Sequence, residues 1–549
     1  MNILPVQVEI NTKTLTPTAG ESLFDCAEQV GVVVPTSCRK NGKCRECLVE
    51  VVAGGELLSP PSPEEEHLRD GFRLSCRAQV TDREGTIKCH TLRRGEMRIE
   101  HDASGLEGVP GPTTLDPAVT RAGKMVLLDG QPLTEAEGPL LGLAVDLGTT
   151  TVVVRLLDLE SGKILEVQSF ENPQRFAGTD IMARIQYDTE QGGHLLQRTL
   201  LAYLGHAIEA MSCDPLSIYE IVIAGNTTMR DLVFGIDVFS VGQRPYRSLT
   251  QNELEAGDRK STSLSATAKK LRLPVFPGAR VYGLPLISGH VGADAAACLL
   301  AIGLAHEDRT IALMDIGTNT ELVVGNRQKL LAASCPAGPA FEGGAISCGM
   351  PGLEGAIEAI KLSESEQILL ETIGGGEPQG ICGSGLIDGL SELLRTQRIN
   401  ELGRFVDESE RFNLTADGQT YIHEQDISEL AQAKGANVAG LRIVLKSYGI
   451  DVDDLDRFYL AGGFAKHLDL DAARRIGLIP DLPDEKLMQV GNASIEGATR
   501  ALCSLTARNE LESLVQIIGH VELETDVQFF DHFVEGCQFI PMRNQSCRQ

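Results

Sequence analysis

The chain has 549 residues and a net charge of −27, and such a length predicts several domains rather than one hydrophobic core. Apolar residues never run for the roughly 18 positions of a membrane span, and the amino terminus lacks the pattern of a secretory signal. We therefore predict a cytoplasmic protein with no membrane partner and, because its acidity repels phosphate backbones, no nucleic-acid partner.

Fourteen cysteines in a reducing compartment indicate metal or redox chemistry rather than disulfides. Two irons with bridging sulfides require four thiolates, and plant-type ferredoxins supply them with the spacing C-x4-C-x2-C…C. This chain has C-x5-C-x2-C-x28-C, formed by Cys38, Cys44, Cys47 and Cys76. Residues 1–90 resemble plant-like and adrenodoxin-like [2Fe-2S] ferredoxins, although the first gap is one residue longer.

The surrounding segments predict a small β-grasp fold for this domain. Residues 6–10 and 14–16 alternate like paired strands, and residues 22–30 have the pattern of a helix that begins at a serine cap. Gly42 lies inside the cysteine loop, where the missing side chain lets backbone amides approach the cluster. The loop also carries cations that should favour the reduced cluster, namely Arg39, Lys40, Lys43 and Arg45.

A tetrahedral zinc site is the alternative interpretation of the four cysteines. Zinc sites usually present two paired knuckles, whereas Cys76 stands alone in its segment, so the iron–sulfur interpretation is favoured. Cys26 and Cys89 fall outside the spacing and are predicted to pack as small apolar residues.

Residues 91–139 are rich in glycine, proline and charge, and are predicted to form a linker or small adaptor. The loosest part is 105–113, and one short strand is expected near 125–128. A tether of this kind suits an electron-transfer module and suits a passive connection equally well.

Two segments, 143–154 and 311–324, share one design: an apolar strand, a turn that starts at an aspartate, and a second apolar strand. In each turn a glycine permits backbone amides and hydroxyls to face an anion. Downstream of each, at 221–228 and 458–464, a strand meets a glycine turn before a helix. Because this order occurs twice, we predict a duplication with two similar lobes and a cleft between them.

The ordered motifs resemble those of the actin, sugar kinase and Hsp70 superfamily over residues 140–549. The resemblance implies an α/β multidomain chain, in which the ferredoxin domain precedes a duplicated ribonuclease-H-like ATPase. The two lobes of the ATPase are expected at about 140–305 and 306–549, and its ligands are expected to be ATP and Mg²⁺. It implies that Asp146 and Asp315 hold magnesium-bound water and that one of them orients the attacking water. The nucleotide-binding residues that it implies are Gly148, Thr149, Thr150, Asn226, Thr227, Gly317, Thr318, Asn319, Thr320, Gly462, Gly463 and Phe464.

Further motifs lie between the second hairpin and residue 464. Gly383, Ser384 and Gly385 open an apolar helix whose free amides could meet the nucleotide. Residues 335–344 form a proline- and glycine-rich loop that we expect beside the cleft. Cys348 and Cys382 are expected to pack rather than to bind a cluster, and His290, upstream in the first lobe, suits the core and the cleft equally.

The ferredoxin domain together with these ATPase motifs is similar to the reductive activators of corrinoid proteins. The resemblance implies ATP-driven one-electron reduction of inactive cobalt(II) to cobalt(I) on a corrinoid protein of a methyltransferase system, with a low-potential electron donor as second partner. Members of this family can carry an extra middle domain, and only about 50 residues intervene here, so partner docking and homodimer formation stay open. The alternatives are an activator of the benzoyl-CoA reductase or 2-hydroxyacyl-CoA dehydratase type, and a ferredoxin-regulated small-molecule kinase.

Overall fold

The computed structural model describes residues 6–92, 115–191, 194–363, 367–463 and 465–543. The loosest part of the predicted linker, 105–113, and Phe464 lie outside these residues. Within the described chain, every helix is too short or too polar to cross a membrane.

The amino-terminal segment folds as a five-stranded sheet with one helix packed against it. The helix begins after Ser22, whose hydroxyl accepts a hydrogen bond from the Asp25 amide at 3.1 Å. Cys26 and Cys89 are fully buried in the core of this sheet and helix, as predicted. The β-grasp prediction is confirmed by the order β2-β1-β5-β3-β4, with β1 Gln7–Ile10, β2 Lys13–Leu15, α1 Leu23–Gln29, β3 Leu48–Ala53, β4 Phe72–Leu74 and β5 Thr86–Thr91.

Three short strands follow in place of a simple connection: β6 Val119–Ala122, β7 Met125–Leu128 and β8 Gln131–Glu135. The expected strand at 125–128 is the middle one of this sheet. Val119 and Val126 are buried in a core shared with the following lobe. Residues 115–135 are therefore packed against that lobe rather than freely tethered.

The first lobe is built on a six-stranded sheet of order β11-β10-β9-β12-β14-β13. The strand β9 is buried along nearly its whole length, which explains its continuous apolar sequence. The strands are β9 Leu141–Leu147, β10 Thr151–Asp158, β11 Ile164–Glu171, β12 Ile218–Gly225, β13 Leu264–Thr267 and β14 Arg280–Gly283. The helices are α2 Ile181–Gln191, α3 Leu195–Glu209, α4 Thr227–Phe234, α5 Leu249–Glu255, α6 Ala268–Leu271 and α7 Ala293–Ala301.

The second lobe repeats this sheet, with the order β24-β23-β15-β16-β17-β25. Its main strands are β15 Ile311–Ile316, β16 Thr320–Asn326, β17 Lys329–Cys335, β23 Arg457–Ala461, β24 Leu487–Gly491 and β25 Ile518–His520. Smaller sheets are formed by β18 Ala356–Leu362, β19 Ile368–Thr372 and β20 Gly380–Ile381, and by β21 Arg411–Asn413 and β22 Tyr421–His423. The helices are α8 Gly383–Arg395, α9 Glu424–Tyr448, α10 Leu470–Ile476, α11 Ala493–Cys503, α12 Leu505–Leu514 and α13 Phe529–Gly536.

The duplication is visible in the strand directions. In the first lobe, β9 pairs antiparallel with β10 and parallel with β12, and in the second β15 pairs antiparallel with β16 and parallel with β23. The prediction of two similar lobes is therefore confirmed. Helices α11 and α12, which come late in the chain, pack into the core of the first lobe and so tie the two halves together.

Candidate functional site

The four predicted cluster ligands lie together at one edge of the ferredoxin domain. Cys38, Cys44 and Cys47 lie on the loop between α1 and β3, and Cys76 follows β4. The sulfur atoms of Cys47 and Cys76 are 3.3 Å apart, and the thiols of Cys38 and Cys44 interact as a second pair. A cluster of two irons requires two thiolates on each iron, which is the pairing seen here.

The backbone of this loop is shaped to receive an anionic group. Arg39, Lys40, Gly42 and Arg45 all have positive φ, between 53° and 79°, and such left-handed residues turn successive amides toward one side. Burial raises the pKa of the Cys38 thiol, but hydrogen bonds from nearby backbone amides outweigh it and lower the pKa to about 7. The loop therefore suits thiolates and the [2Fe-2S] cluster that they would hold.

The described residues contain no group of three or more His, Cys, Asp or Glu side chains converging on one metal position. The two thiol pairs suit a binuclear cluster. Lys40, one of the four cations predicted beside the cluster, donates to Asp25 at 2.8 Å and to Glu28 at 2.7 Å on α1.

The two predicted phosphate hairpins, β9–β10 and β15–β16, face each other across a cavity of about 120 Å³. The predicted residues that line it are Asp146, Gly148, Thr149, Thr150, Asn226, Asp315, Gly317, Thr318, Asn319, Gly462 and Gly463. A nucleotide-sized ligand usually occupies several hundred Å³. This cavity therefore has room for phosphate groups and an ion.

Five other predicted nucleotide contacts do not line this cavity. Thr227 is buried and donates to the Ser288 carbonyl at 3.1 Å, and the Thr320 side chain is fully buried. Gly383, Ser384 and Gly385 are buried at the start of α8. Their role in binding nucleotide stays a prediction.

Carboxylates dominate the cavity, and none of its described lining residues is lysine or arginine. They are Asp146, Asp294, Asp315, Glu321 and Glu342. Burial, reinforced by the neighbouring carboxylates, raises the pKa of Asp294 to about 7 and that of Asp315 to about 6. An oxygen-only set without a cation fits Mg²⁺, which usually takes one or two carboxylates and completes its shell with phosphate oxygens and water.

Asp146 is held by residues that come late in the chain. Its carboxylate accepts hydrogen bonds from Ser494 at 2.7 Å and from Asn492 at 2.9 Å. Asp315 accepts a hydrogen bond from the Cys298 thiol at 3.3 Å. These partners and Asp294 were missed by the sequence reasoning, because only the fold brings them to the cleft. Glu321 was also missed, although it directly follows the predicted Thr320.

Glu342 connects the two lobes directly. One of its carboxylate oxygens accepts hydrogen bonds from Thr150 of the first hairpin at 3.0 Å and from Thr318 of the second at 2.6 Å. Glu342 lies on the proline- and glycine-rich loop that was expected beside the cleft. Its position between two short turns of that loop was the sequence feature that could have identified it. His290, in contrast, packs against Tyr246 with ring centroids 4.8 Å apart and does not line the cavity.

The first hairpin is fastened from behind by two buried side chains. Arg184 donates to the Thr149 carbonyl at 2.6 Å and to the Gly178 carbonyl at 3.0 Å. Asn172 donates to the Gly148 carbonyl at 2.8 Å. Asn172 also caps a short turn, Pro173–Ala177, that lies against the ferredoxin domain.

The ferredoxin domain contacts the first lobe through that turn and through α3. Phe176 packs against His67 with ring centroids 5.9 Å apart, and Tyr187 donates to the His67 carbonyl at 3.0 Å. Next to the cluster loop, Tyr203 donates to the Glu46 carbonyl at 3.0 Å. The cysteine loop and the phosphate hairpin therefore rest on neighbouring parts of one lobe.

Comparison with known proteins assigns this architecture to a class. Residues 6–81 match the model of a 2Fe-2S iron-sulfur cluster binding domain, residues 141–307 match the RACo middle region, and residues 309–548 match the C-terminal domain of RACo, the ASKHA domain. The fold and site thus define an iron–sulfur protein fused to an ATPase-like domain of the actin and sugar-kinase type. The chain belongs to the RACo family of reductive activators.

Relatives match over most of the chain. Corrinoid activation enzyme RamQ of Eubacterium limosum is 28% identical over 94% of this chain and 96% of its own length. The [Co(II) methylated amine-specific corrinoid protein] reductase of Methanosarcina barkeri is 24% identical over 69% of this chain and 72% of its own. The solved structure of a reductive activator for corrinoid, iron-sulfur protein covers 98% of both chains with a TM-score of 0.71 and 28% identity.

The matched RACo middle region, residues 141–307, forms the first lobe and lies after the segment 91–139. The relatives are named as an activation enzyme and a reductase, and together with the ATPase-like domain they support an enzyme.

Proposed function

We propose that this chain couples ATP hydrolysis to the one-electron reduction of an inactive cobalt(II) corrinoid to cobalt(I) on a partner corrinoid protein of a methyltransferase system. The relatives named above support the corrinoid as the acceptor. The observation that carries the coupling is that the cysteine loop and the first phosphate hairpin are both fastened to the same lobe, through Tyr203 and Asn172 respectively.

In this proposal Cys38, Cys44, Cys47 and Cys76 hold the [2Fe-2S] cluster, and the amides of the left-handed loop stabilise its negative charge. Such a cluster supplies one electron at a reduction potential of about −400 mV. For a single electron, each further 100 mV uphill costs about 2.3 kcal/mol. ATP hydrolysis can offset a free-energy cost of this size for electron transfer from the cluster to the corrinoid.

Asp146 and Asp315 are proposed to hold Mg²⁺ through water, with Asp294 and Glu321 adding negative charge to the same cavity. Thr149, Thr150, Thr318 and the neighbouring glycine amides would bind phosphate oxygens. Gly462 and Gly463, with Phe464 and the start of α8, would lie along the adenosine. When bound, Mg²⁺ supplies charge neutralisation of the transferring phosphoryl group.

Glu342 is proposed to report whether nucleotide is present. Its carboxylate oxygen bonds the hydroxyls of Thr150 and Thr318, the two threonines that a γ-phosphate would also bind. Phosphate must therefore displace it or share these donors, and the carboxylate is then free to orient the attacking water.

The first hairpin is linked to the ferredoxin domain by a short path. Gly148 bonds Asn172, Asn172 caps the turn Pro173–Ala177, and Phe176 of that turn packs on His67. A change in the hairpin on nucleotide binding would pass along these contacts. The ferredoxin domain would then shift with the phosphate site, and the cobalt site of a docked partner with it.

The test is cobalt(I) formation. The reconstituted chain, a reductant and a cobalt(II) corrinoid protein are mixed with and without MgATP, and cobalt(I) absorbance and phosphate release are followed together. Cobalt(I) should form only with ATP, in proportion to phosphate released. Equal rates without ATP would remove the coupling, and a phosphorylated small molecule in place of free phosphate would favour a kinase.

A further inference from the structure

A second cavity, of about 610 Å³, lies between the ferredoxin domain and the first lobe. One wall is the cysteine loop, which contributes Ser37, Cys44 and Glu46, and the other is α3 together with the segment at the end of α6. It shares no lining residue with the nucleotide cavity. One predicted cluster ligand, Cys44, is therefore reached from outside through this groove.

The groove is lined by cations that the described chain does not otherwise use. Arg198, Lys270 and Arg272 line it and are exposed, and within the described residues no salt bridge or side-chain hydrogen bond engages their charged groups. Elsewhere at the first lobe arginines are paired, as Arg280 and, from α12, Arg508 are with Glu220. In a chain of net charge −27, three unpaired cations beside a predicted cluster form a local positive field.

The carboxylates of the groove contact a histidine rather than these three cations. Glu46 accepts a hydrogen bond from Ser37 at 2.6 Å and lies 3.4 Å from the His206 ring nitrogen. Glu209 lies 3.6 Å from the other nitrogen of the same ring. Both acids are thus engaged with one histidine, while the three cations are left for a ligand that is not part of the described chain.

We propose that this groove docks the acidic electron-donor protein that reduces the cluster, with carboxylates of the donor contacting Arg198, Lys270 and Arg272. The proposal rests on the proposed function, which requires a donor. A donor needs only to approach the cluster, and the groove gives access to Cys44 without sharing a lining residue with the nucleotide cavity. One electron leaves the donor, which is oxidised, and one iron of the cluster changes from Fe(III) to Fe(II).

The test uses the full chain with its cluster and an acidic bacterial ferredoxin as the probe. The variant Arg198→Glu/Lys270→Glu/Arg272→Glu reverses the charge of the groove. Lys269→Glu is the matched control, since Lys269 is an exposed lysine of the same short helix that does not line the groove. Stopped-flow bleaching of the [2Fe-2S] absorbance gives the rate of reduction, and calorimetry with oxidised ferredoxin gives the affinity.

At low ionic strength the triple variant should be reduced by ferredoxin at least about tenfold more slowly and bind it correspondingly more weakly, because charge steering of this kind changes association rates by about 10 to 1,000-fold. Added salt should slow the wild type and spare the triple variant. Lys269→Glu should stay within about twofold of wild type. Reduced methyl viologen, a cation, should reduce the triple variant no more slowly than the wild type.

Equal losses in the control and the triple variant, or unchanged ferredoxin rate and affinity, would overturn the proposal. A triple variant that accepts electrons normally but reduces the corrinoid protein slowly would assign the groove to the acceptor instead, which also overturns it. Should the triple variant lose its cluster spectrum, Lys270→Gln/Arg272→Gln takes its place. Cobalt(I) formation by chemically reduced wild type tests the proposed function separately, since that assay needs no donor protein.

Discussion

Cys44 and Cys89 are thiols of one small domain with opposite surroundings. Cys44 lies on the cysteine loop and reaches the groove, whereas Cys89 is fully buried in β5 among apolar residues. We expect Cys44→Ser to abolish the [2Fe-2S] absorbance, because one iron loses a thiolate. Cys89→Ala should keep the spectrum and lose only about 1 kcal/mol of stability. Visible absorbance and iron content of the two purified variants provide the comparison.

Glu342 is the residue on which both phosphate hairpins converge. Glu342→Gln keeps an oxygen for Thr150 and Thr318 but removes the charge that would orient the attacking water. We expect kcat for ATP hydrolysis to fall by about 100-fold with a much smaller change in KM, measured as phosphate release.

Glu354→Gln is the control for that prediction, because Glu354 is exposed in the same lobe and does not line the cavity. It should hydrolyse ATP like the wild type. If Glu342→Gln hydrolyses ATP at the wild-type rate, Glu342 only bridges the lobes and plays no part in the chemistry.

At the scale of elements, the contact between the ferredoxin domain and the turn Pro173–Ala177 depends on a neutral histidine. Burial, with a contribution from Arg45, lowers the pKa of His67 to about 4. The pKa of a histidine in the unfolded chain is about 6.5. At pH values between about 4 and 6.5, His67 is therefore protonated in the unfolded chain and neutral in the folded one. The contact is therefore fully stable above about pH 6.5 and loses stability as the pH falls toward 4.

His67→Phe keeps a ring against Phe176 and removes the titration. We expect the wild-type Tm to fall between pH 7 and pH 5 and the Tm of the variant to fall less. Protonation of His67 removes up to about 3 kcal/mol of unfolding free energy, and this limit is reached only below about pH 4. Thermal unfolding at several pH values measures this. Parallel curves for the two proteins would show that another group controls the acid sensitivity.

At the scale of the whole molecule, the lobes, the linking turn and the ferredoxin domain form one chain of contacts. We expect a non-hydrolysable ATP analogue to slow hydrogen exchange at the hairpins and also at residues 64–70, which lie against Phe176 and Tyr187. Exchange measured by mass spectrometry would show the effect.

In Asn172→Ala the ATP analogue should still slow hydrogen exchange at the second hairpin but no longer at residues 64–70, because the hydrogen bond from Asn172 to the Gly148 carbonyl is removed. The unpaired carbonyl should also cost about 1–3 kcal/mol of stability. Asn252→Ala, at an exposed asparagine of α5, is the control. Slowing at residues 64–70 that persists in Asn172→Ala would place the coupling elsewhere.

The short-range features of this protein could be predicted from sequence. The four cysteines, the capped helix after Ser22 and the two hairpins depend on spacing, turn residues and alternation within a few positions. Even the duplication is a repeat of such local patterns. In each case neighbouring residues already impose the backbone geometry that the chemistry needs.

The tertiary structure alone decided what surrounds these features. Asn492 reaches Asp146 from 346 positions away, Glu342 joins threonines of both lobes, and Lys40 pairs with Asp25 of α1. Helices α11 and α12 return to the first lobe, and the groove at Cys44 exists only between two domains. Local patterns cannot encode such contacts, because they arise where packing brings distant surfaces together.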